Sequence, residues 1–172
     1  CALPIYPLIY EAFTYYEREV LPYKNDDIIN AHAMPGAHAA LQAVQDAGLR
    51  YALFTNPSFP QGAIECRMGW GDLADAPFEL VTHMGNATRC KPDATYYLEQ
   101  LQVMGLEPHE VLMVGNDPKR DFPSPACGIQ TAYVGQGKPS RATWCGTMED
   151  FARDFNAVIE AFYEHQVAHE LS

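Results

Sequence analysis

Short apolar runs alternate along this chain with stretches whose apolar side chains recur every three or four positions, and no other feature restricts the fold as tightly. Tyr51-Ala52-Leu53-Phe54 is bounded by Gly48 and by Thr55-Asn56-Pro57, and residues 78–82, 111–114 and 129–134 repeat the pattern. Runs this short and mostly apolar predict strands buried on both faces of a parallel sheet. Between them, Ile9, Phe13, Tyr16 and Val20 predict an amphipathic helix over residues 8–20. Ala37, Ala40, Leu41 and Val44 predict a second, with Pro35 in its first turn and Gly48 at its end. Residues 61–70, 93–104 and 148–165 predict three more, and residues 21–33 read as a loop. Strand and helix in this order imply an α/β fold, a doubly wound parallel sheet with helices on both faces. The 172 residues suffice for one such domain, 1–172, with its own core.

Twenty-two acidic against 11 basic residues give a formal charge of −11, which repels polyphosphate backbones. The basic residues are scattered except for Lys119-Arg120, so the chain reads as no nucleic-acid binder. The longest stretch free of charge beyond the N-terminus, residues 28–45, contains His, Asn, Pro, Gly and Gln, which argues against a membrane span. Five cysteines with wide spacing and no CxxC pair suit a reducing cytoplasm better than a disulfide framework or a zinc site. Position 1 is Cys rather than Met, so translation is expected to start upstream, and residues 3–10 read as packed structure rather than as the tether of a lipid anchor. The aromatic residues Tyr6, Tyr10, Phe13, Tyr15 and Tyr16 fit either a homodimer face or a helix docked on its own core.

In an open parallel sheet, ligands bind beyond the carboxyl ends of the strands. Three polar clusters fall there or at the start of a helix: Thr55-Asn56, Arg89-Cys90-Lys91-Pro92, and Gly115-Asn116-Asp117 followed by Asp121. A hydroxyl, an ammonium and two carboxylates four positions apart supply donors for phosphoryl oxygens and hard oxygen ligands for Mg²⁺. His83, just past residues 78–82, reads as a loop histidine, and residues 135–138 lack the spacing of a phosphate-cradling loop.

Leu53-Phe54-Thr55-Asn56, Lys91-Pro92 and Gly115-Asn116-Asp117 with Asp121 resemble the second, third and fourth motifs of the haloacid dehalogenase superfamily, in order, over about residues 34–134. The resemblance implies a Rossmann-like core and assigns roles. Thr55 would bond a phosphoryl oxygen with Asn56 beside it, and Lys91 would neutralise nucleophile and phosphoryl charge. Asp117 would bind Mg²⁺, with Asp121 supporting that shell. Plainer readings stand beside these: Thr55 capping the turn before Pro57, Lys91 and Asp121 as surface charges, Asp117 as a turn residue.

The family's first motif, an Asp-x-Asp-x-Thr whose leading Asp attacks phosphorus, has no counterpart, because no Asp precedes Asp26. The first core strand and that motif are therefore expected upstream of residue 1, and residues 3–33 are expected to form a small helical lid. Pro123 and Pro125 are expected to break the helix that the family places after the fourth motif. The implied activity is Mg²⁺-dependent hydrolysis of a small phosphorylated substrate through an aspartyl phosphate. The alternatives are a non-catalytic phosphate-binding or regulatory module and a 2-haloacid dehalogenase.

Overall fold

A computed structural model of the chain describes residues 5–26 and 30–170. Residues 3, 4 and 27–29 of the expected lid lie outside the described residues. Helix α1 covers Ile5–Tyr15 and runs on through a π-helical segment, Tyr16–Val20, and a tighter turn, Leu21–Tyr23. Helical backbone thus continues to residue 26, where a loop was expected from residue 21, because Pro22 sits in the first turn of a new helical segment that it can start. Helix α3, Gln61–Trp70, packs on residues 16–23, and the Trp70 indole N–H donates to the Pro22 carbonyl at 3.3 Å. Leu8, Tyr10, Phe13 and Tyr15 of α1 are each at least 60% exposed, so these side chains are not docked on the core.

Helix α2 covers Ala37–Asp46, and Pro35 lies in the turn before it rather than in its first turn. The expected apolar stripe is real: Ala40 is buried, and Ala37, Leu41 and Val44 are half-buried. Helix α4, Ala94–Met104, starts at Asp93, whose carboxylate accepts the Thr95 N–H at 2.8 Å, and stops at Gly105, whose φ of +66° suits a helix end.

Three strands form a parallel sheet in the order β1 (Leu112–Gly115), β2 (Gln130–Val134), β3 (Trp144–Gly146). Strand β3 was not expected. It is three residues long and reads Trp-Cys-Gly, too short and mixed to show a period. The sheet is covered on both faces, as alternation along β1 requires. Leu112 and Val114 join Ala132, Val134, Ala40, Phe151, Phe155 and Val158 on one face; Val111 and Met113 join Tyr96, Tyr97, Leu101 and Ile129 on the other. This is the α/β core that the alternation implied, and the Rossmann-like one that the resemblance implied.

The expected closing helix is two helices, α5 (Met148–Arg153) and α6 (Phe155–Glu170). At Asp154 the backbone leaves helical geometry (φ −102°, ψ 22°), and Arg153 pairs with Asp150 and Asp154 at 2.7 Å each. Thr147 and Asp150 cap α5 reciprocally; the Thr147 donors together with Arg153 pull the Asp150 carboxyl down to about 2.

Residues 51–54 and 78–82 also depart from expectation. They pair in parallel through a single bridge, Leu53 with Val81, instead of forming full strands. Leu53 N–H donates to the Leu80 carbonyl at 2.8 Å and Thr82 N–H to the Leu53 carbonyl at 3.0 Å. Among the described residues this ladder has no hydrogen bond to β1, the edge strand of the sheet. Leu53, Phe54, Leu112, Met113 and Val114 are only half-buried, whereas β2 is buried at all but one position. A parallel strand is ordinarily buried on both sides, so β1 and the 51–54 segment each present an open flank.

Gly36 tests the packing of α2 on α5. Its φ is +84° and an added Cβ would lie 2.5 Å from the Glu149 backbone nitrogen, whereas Gly105 (φ +66°) has open space. Gly36→Ala should therefore cost more than about 2 kcal/mol in urea unfolding and Gly105→Ala about 1 kcal/mol, since only the first adds a clash to the strain of a left-handed residue. Equal losses would mean that the two helices do not meet at Gly36.

Candidate active site

The three polar clusters converge through Lys91. Its ammonium donates to the Phe54 carbonyl at 2.9 Å and to Asp121 Oδ1 at 2.7 Å, so one side chain joins the end of the 51–54 segment to the loop after β1. Both members of the ion pair are mostly withdrawn from solvent, with side-chain exposures of 11% and 14%. The second oxygen of Asp121 accepts the N–H groups of Asn116 and Asp117 at 3.1 and 3.0 Å. Asp121 N–H in turn donates to the Asp117 carbonyl at 2.7 Å, closing one helical turn on itself. Gly115 is required at the strand end because a Cβ there would stand 2.6 Å from Asp121 Cβ.

Asp117 is placed differently. Its Oδ1 accepts the N–H groups of Lys119 and Arg120 at 3.0 and 3.2 Å, and Oδ2 lies 3.5 Å from Arg120 Nε with the side chain 42% exposed. It is the more open of the two carboxylates. Asn56 is exposed at the tip of the 51–54 segment, with its carbonyl accepting the Ser58 N–H at 2.7 Å. The Thr55 hydroxyl donates to the Thr82 carbonyl at 2.6 Å. His83 is a turn residue whose Nδ1 accepts the Gly85 N–H at 3.0 Å. Pro125–Cys127 is one 3₁₀ turn, the broken helix expected from the two prolines.

Helix α4 carries two supports that sequence reasoning missed. Tyr96 and Tyr97 are both fully buried, edge to face at 5.1 Å, and Phe54 packs on them. The Tyr96 hydroxyl donates to the Thr55 carbonyl at 2.6 Å, and the Tyr97 hydroxyl donates to the Asp121 carbonyl. Burial pushes the Tyr96 phenol up to about 12, and burial together with the Asp121 charge raises Tyr97 as well. The signal available beforehand was a pair of tyrosines one turn after Lys91, each needing a buried partner for its hydroxyl.

Mg²⁺ takes oxygen ligands, often one or two carboxylates with water and phosphate completing the shell. Asp117 fits that role, since its Oδ2 accepts no backbone N–H and meets only the exposed Arg120 guanidinium, 3.5 Å away. Asp121 is committed to Lys91 and two backbone amides, which suits a supporting position. Among the described residues no group of three or more His, Cys, Asp or Glu is placed so that it could by itself hold a metal ion.

Residues 5–127 match the haloacid dehalogenase-like hydrolases, and the chain belongs to that family. It is 30% identical over 115 residues to a phosphoglycolate phosphatase of Rhodospirillum rubrum, covering 67% of this chain and 46% of that protein. In fold it is similar to a β-phosphoglucomutase from Clostridium difficile (TM-score 0.63, 16% identity, 78% of this chain and 58% of that one). A HAD phosphatase from Thermococcus onnurineus gives a TM-score of 0.60 at 20% identity, covering 71% and 57% of the two chains. An L-2-haloacid dehalogenase gives 0.61 at 16% identity, covering 73% and 57%. The chain spans about half the length of the relatives it matches.

The ion pair generates a contrast. Asp121→Asn leaves the Lys91 ammonium without its counter-charge and should cost about 3 kcal/mol in urea unfolding, as breaking a buried pair does. Asp117→Asn, on an exposed carboxylate, should cost less than about 1 kcal/mol. Equal small losses for both would remove the Lys91–Asp121 pair from the account.

Proposed function

We propose that this chain is the core of a Mg²⁺-dependent phosphate monoester hydrolase that acts on a small phosphorylated substrate in the cytoplasm. The observation that carries the reading is the buried Lys91 ammonium shared between the Phe54 carbonyl and Asp121. A lysine has three N–H donors, and two are spent holding the strand ends together. The third can meet a phosphoryl oxygen or the attacking carboxylate, in a setting where water screens the charge poorly. Asn56 would stand on the opposite rim of the same strand end, and Thr55 beneath it.

Asp117 would hold the metal and Asp121 would keep the 115–121 loop in shape through its amide bonds. When bound, Mg²⁺ would neutralise charge on the phosphoryl group in transit. The attacking aspartate, expected in the family's first motif, belongs in this proposal to a further strand. The open flanks of β1 and residues 51–54 support that placement, because a strand there would pair both edges and complete the burial of Leu53, Phe54, Met113 and Val114. The aspartate would attack phosphorus, displace the alcohol and leave an aspartyl phosphate for water to hydrolyse. The free thiols of Cys66, Cys90, Cys127 and Cys145 agree with a reducing compartment.

A dehalogenase reading draws on the fold alone, and the pair of acids Asp117 and Asp121, with one Asp117 oxygen accepting no backbone hydrogen bond, suits a divalent cation and favours the phosphatase. In the full-length protein, p-nitrophenyl phosphate should be hydrolysed with Mg²⁺ and not with EDTA, and Asp117→Asn should lower kcat/KM by about 10²-fold or more. The Rhodospirillum relative makes 2-phosphoglycolate the first natural compound to assay. Activity indifferent to EDTA, or halide release from a 2-haloacid, would overturn the proposal; phosphate binding without turnover would point to a binding module.

A further inference from the structure

The two prolines that break the helix after Asp121 leave backbone carbonyls without their usual donors. In a continuing α-helix each carbonyl accepts the N–H four residues on. For Asp121 that residue is Pro125, which has no N–H. For Pro123 it is Cys127, whose N–H donates to the Ser124 carbonyl at 2.8 Å instead. Among the described residues no backbone N–H donates to the carbonyls of Asp121, Phe122 or Pro123. Phe122 is 1% exposed and Pro123 is also fully buried, so their carbonyls need partners within the protein.

Side chains supply those partners. The Tyr97 hydroxyl donates to the Asp121 carbonyl, and one terminal nitrogen of Arg141 donates to the Phe122 carbonyl at 3.5 Å and to the Pro123 carbonyl. Arg141 belongs to the loop between β2 and β3, and its own backbone is tied to the sheet. Thr131 Oγ1, on β2, donates to the Arg141 carbonyl at 2.7 Å, and the Thr143 N–H donates to the Thr131 carbonyl at 2.8 Å. The sheet is thereby joined to the segment that follows Asp121. A guanidinium suits this link because it stays charged and presents several N–H groups in a fixed fork.

We propose that Arg141 is a positioning residue which, with Tyr97, replaces the missing helical hydrogen bonds after Asp121 and so holds the 115–121 loop in the geometry of the site. The proposal rests on the phosphohydrolase reading for its effect on Mg²⁺ and deepens it with a residue that lies outside every motif. The path is short. Asp121 Oδ1 meets Lys91, and Oδ2 holds the Asn116 and Asp117 amides, so a backbone shift at residues 121–123 reaches the Asp117 carboxylate through one side chain.

The experiment is amide hydrogen exchange on the full-length, ¹⁵N-labelled protein without metal or substrate, beside p-nitrophenyl phosphate kinetics as Mg²⁺ is titrated. Arg141→Met keeps an unbranched apolar stem and removes the donors; exchange at the Asn116 and Asp117 amides should quicken about tenfold while β2 keeps its protection. Arg141→Lys, which keeps a charged donor, should restore part of that protection. Tyr97→Phe, which keeps the ring, should quicken the same two amides, and it carries the comparison should Arg141→Met fail to fold. In the kinetics, Arg141→Met should raise the Mg²⁺ concentration for half-maximal rate about tenfold, with the ester KM at saturating Mg²⁺ little changed.

Asn116 and Asp117 amides that exchange at the wild-type rate in every variant overturn the inference. So does a loss of protection spread evenly over β2 and the 115–121 loop, which marks a general prop of the fold. Quickened exchange confined to the loop, in a protein that hydrolyses nothing, would sustain the positioning role and sink only the hydrolase reading.

Discussion

A lysine ammonium placed where water hardly reaches it must be met by acceptors, or the desolvation cost of several kcal/mol per ion goes uncompensated. Lys91 is met by the Phe54 carbonyl and the Asp121 carboxylate, which belong to segments far apart in the chain. The remaining geometry of the site follows from that requirement. Asp121 reaches Lys91 only because Gly115 has no side chain to block it, and its other oxygen then fixes the amides of Asn116 and Asp117. Asp117 is thereby left facing outward with a carboxylate oxygen available.

Helix α4 carries this arrangement from behind. Lys91 stands just ahead of it, Asp93 caps it, and Tyr96 and Tyr97 reach in opposite senses to the two segments that Lys91 joins. One helix therefore sets the separation of the two strand ends, through an ion pair at its start and two buried phenols one turn later. The cost of ordering these groups is shared with the apolar cluster of Tyr96, Tyr97, Leu101 and Ile129 that the helix would form in any case.

Much of this was legible beforehand, and the part that was not has physical reasons. Helix α3, Gln61–Trp70, and helix α4, one residue past its Asp93 cap, lie where spacing and punctuation put them, and β1 and β2 fall on the apolar runs that predicted them. The break at Asp154 left no periodic trace, because Phe151, Phe155 and Val158 keep a helical spacing across it. Residues 51–54 and 78–82 looked like buried strands because their composition is mostly apolar, whereas among the described residues they pair with each other through a single bridge. In the site, Lys91, Asp117 and Asp121 came from their positions at strand and helix ends. Thr82 and Tyr96 did not, since a threonine in an apolar run and a tyrosine in a helix are ordinary core residues until their hydroxyl partners are seen.

The hydrolase reading depends on Lys91, Asn56 and Asp117 addressing one anion. The most direct measurement is a crystal structure of the full-length protein with Mg²⁺ and orthovanadate, which mimics a phosphoryl group in transit. The account predicts vanadate oxygens within hydrogen-bond distance of Lys91 Nζ and the Asn56 amide, and Mg²⁺ on the Asp117 carboxylate with Asp121 still paired to Lys91. Vanadate bound elsewhere, or a Lys91 that turns away from both Phe54 and Asp121 when the anion is present, would contradict it.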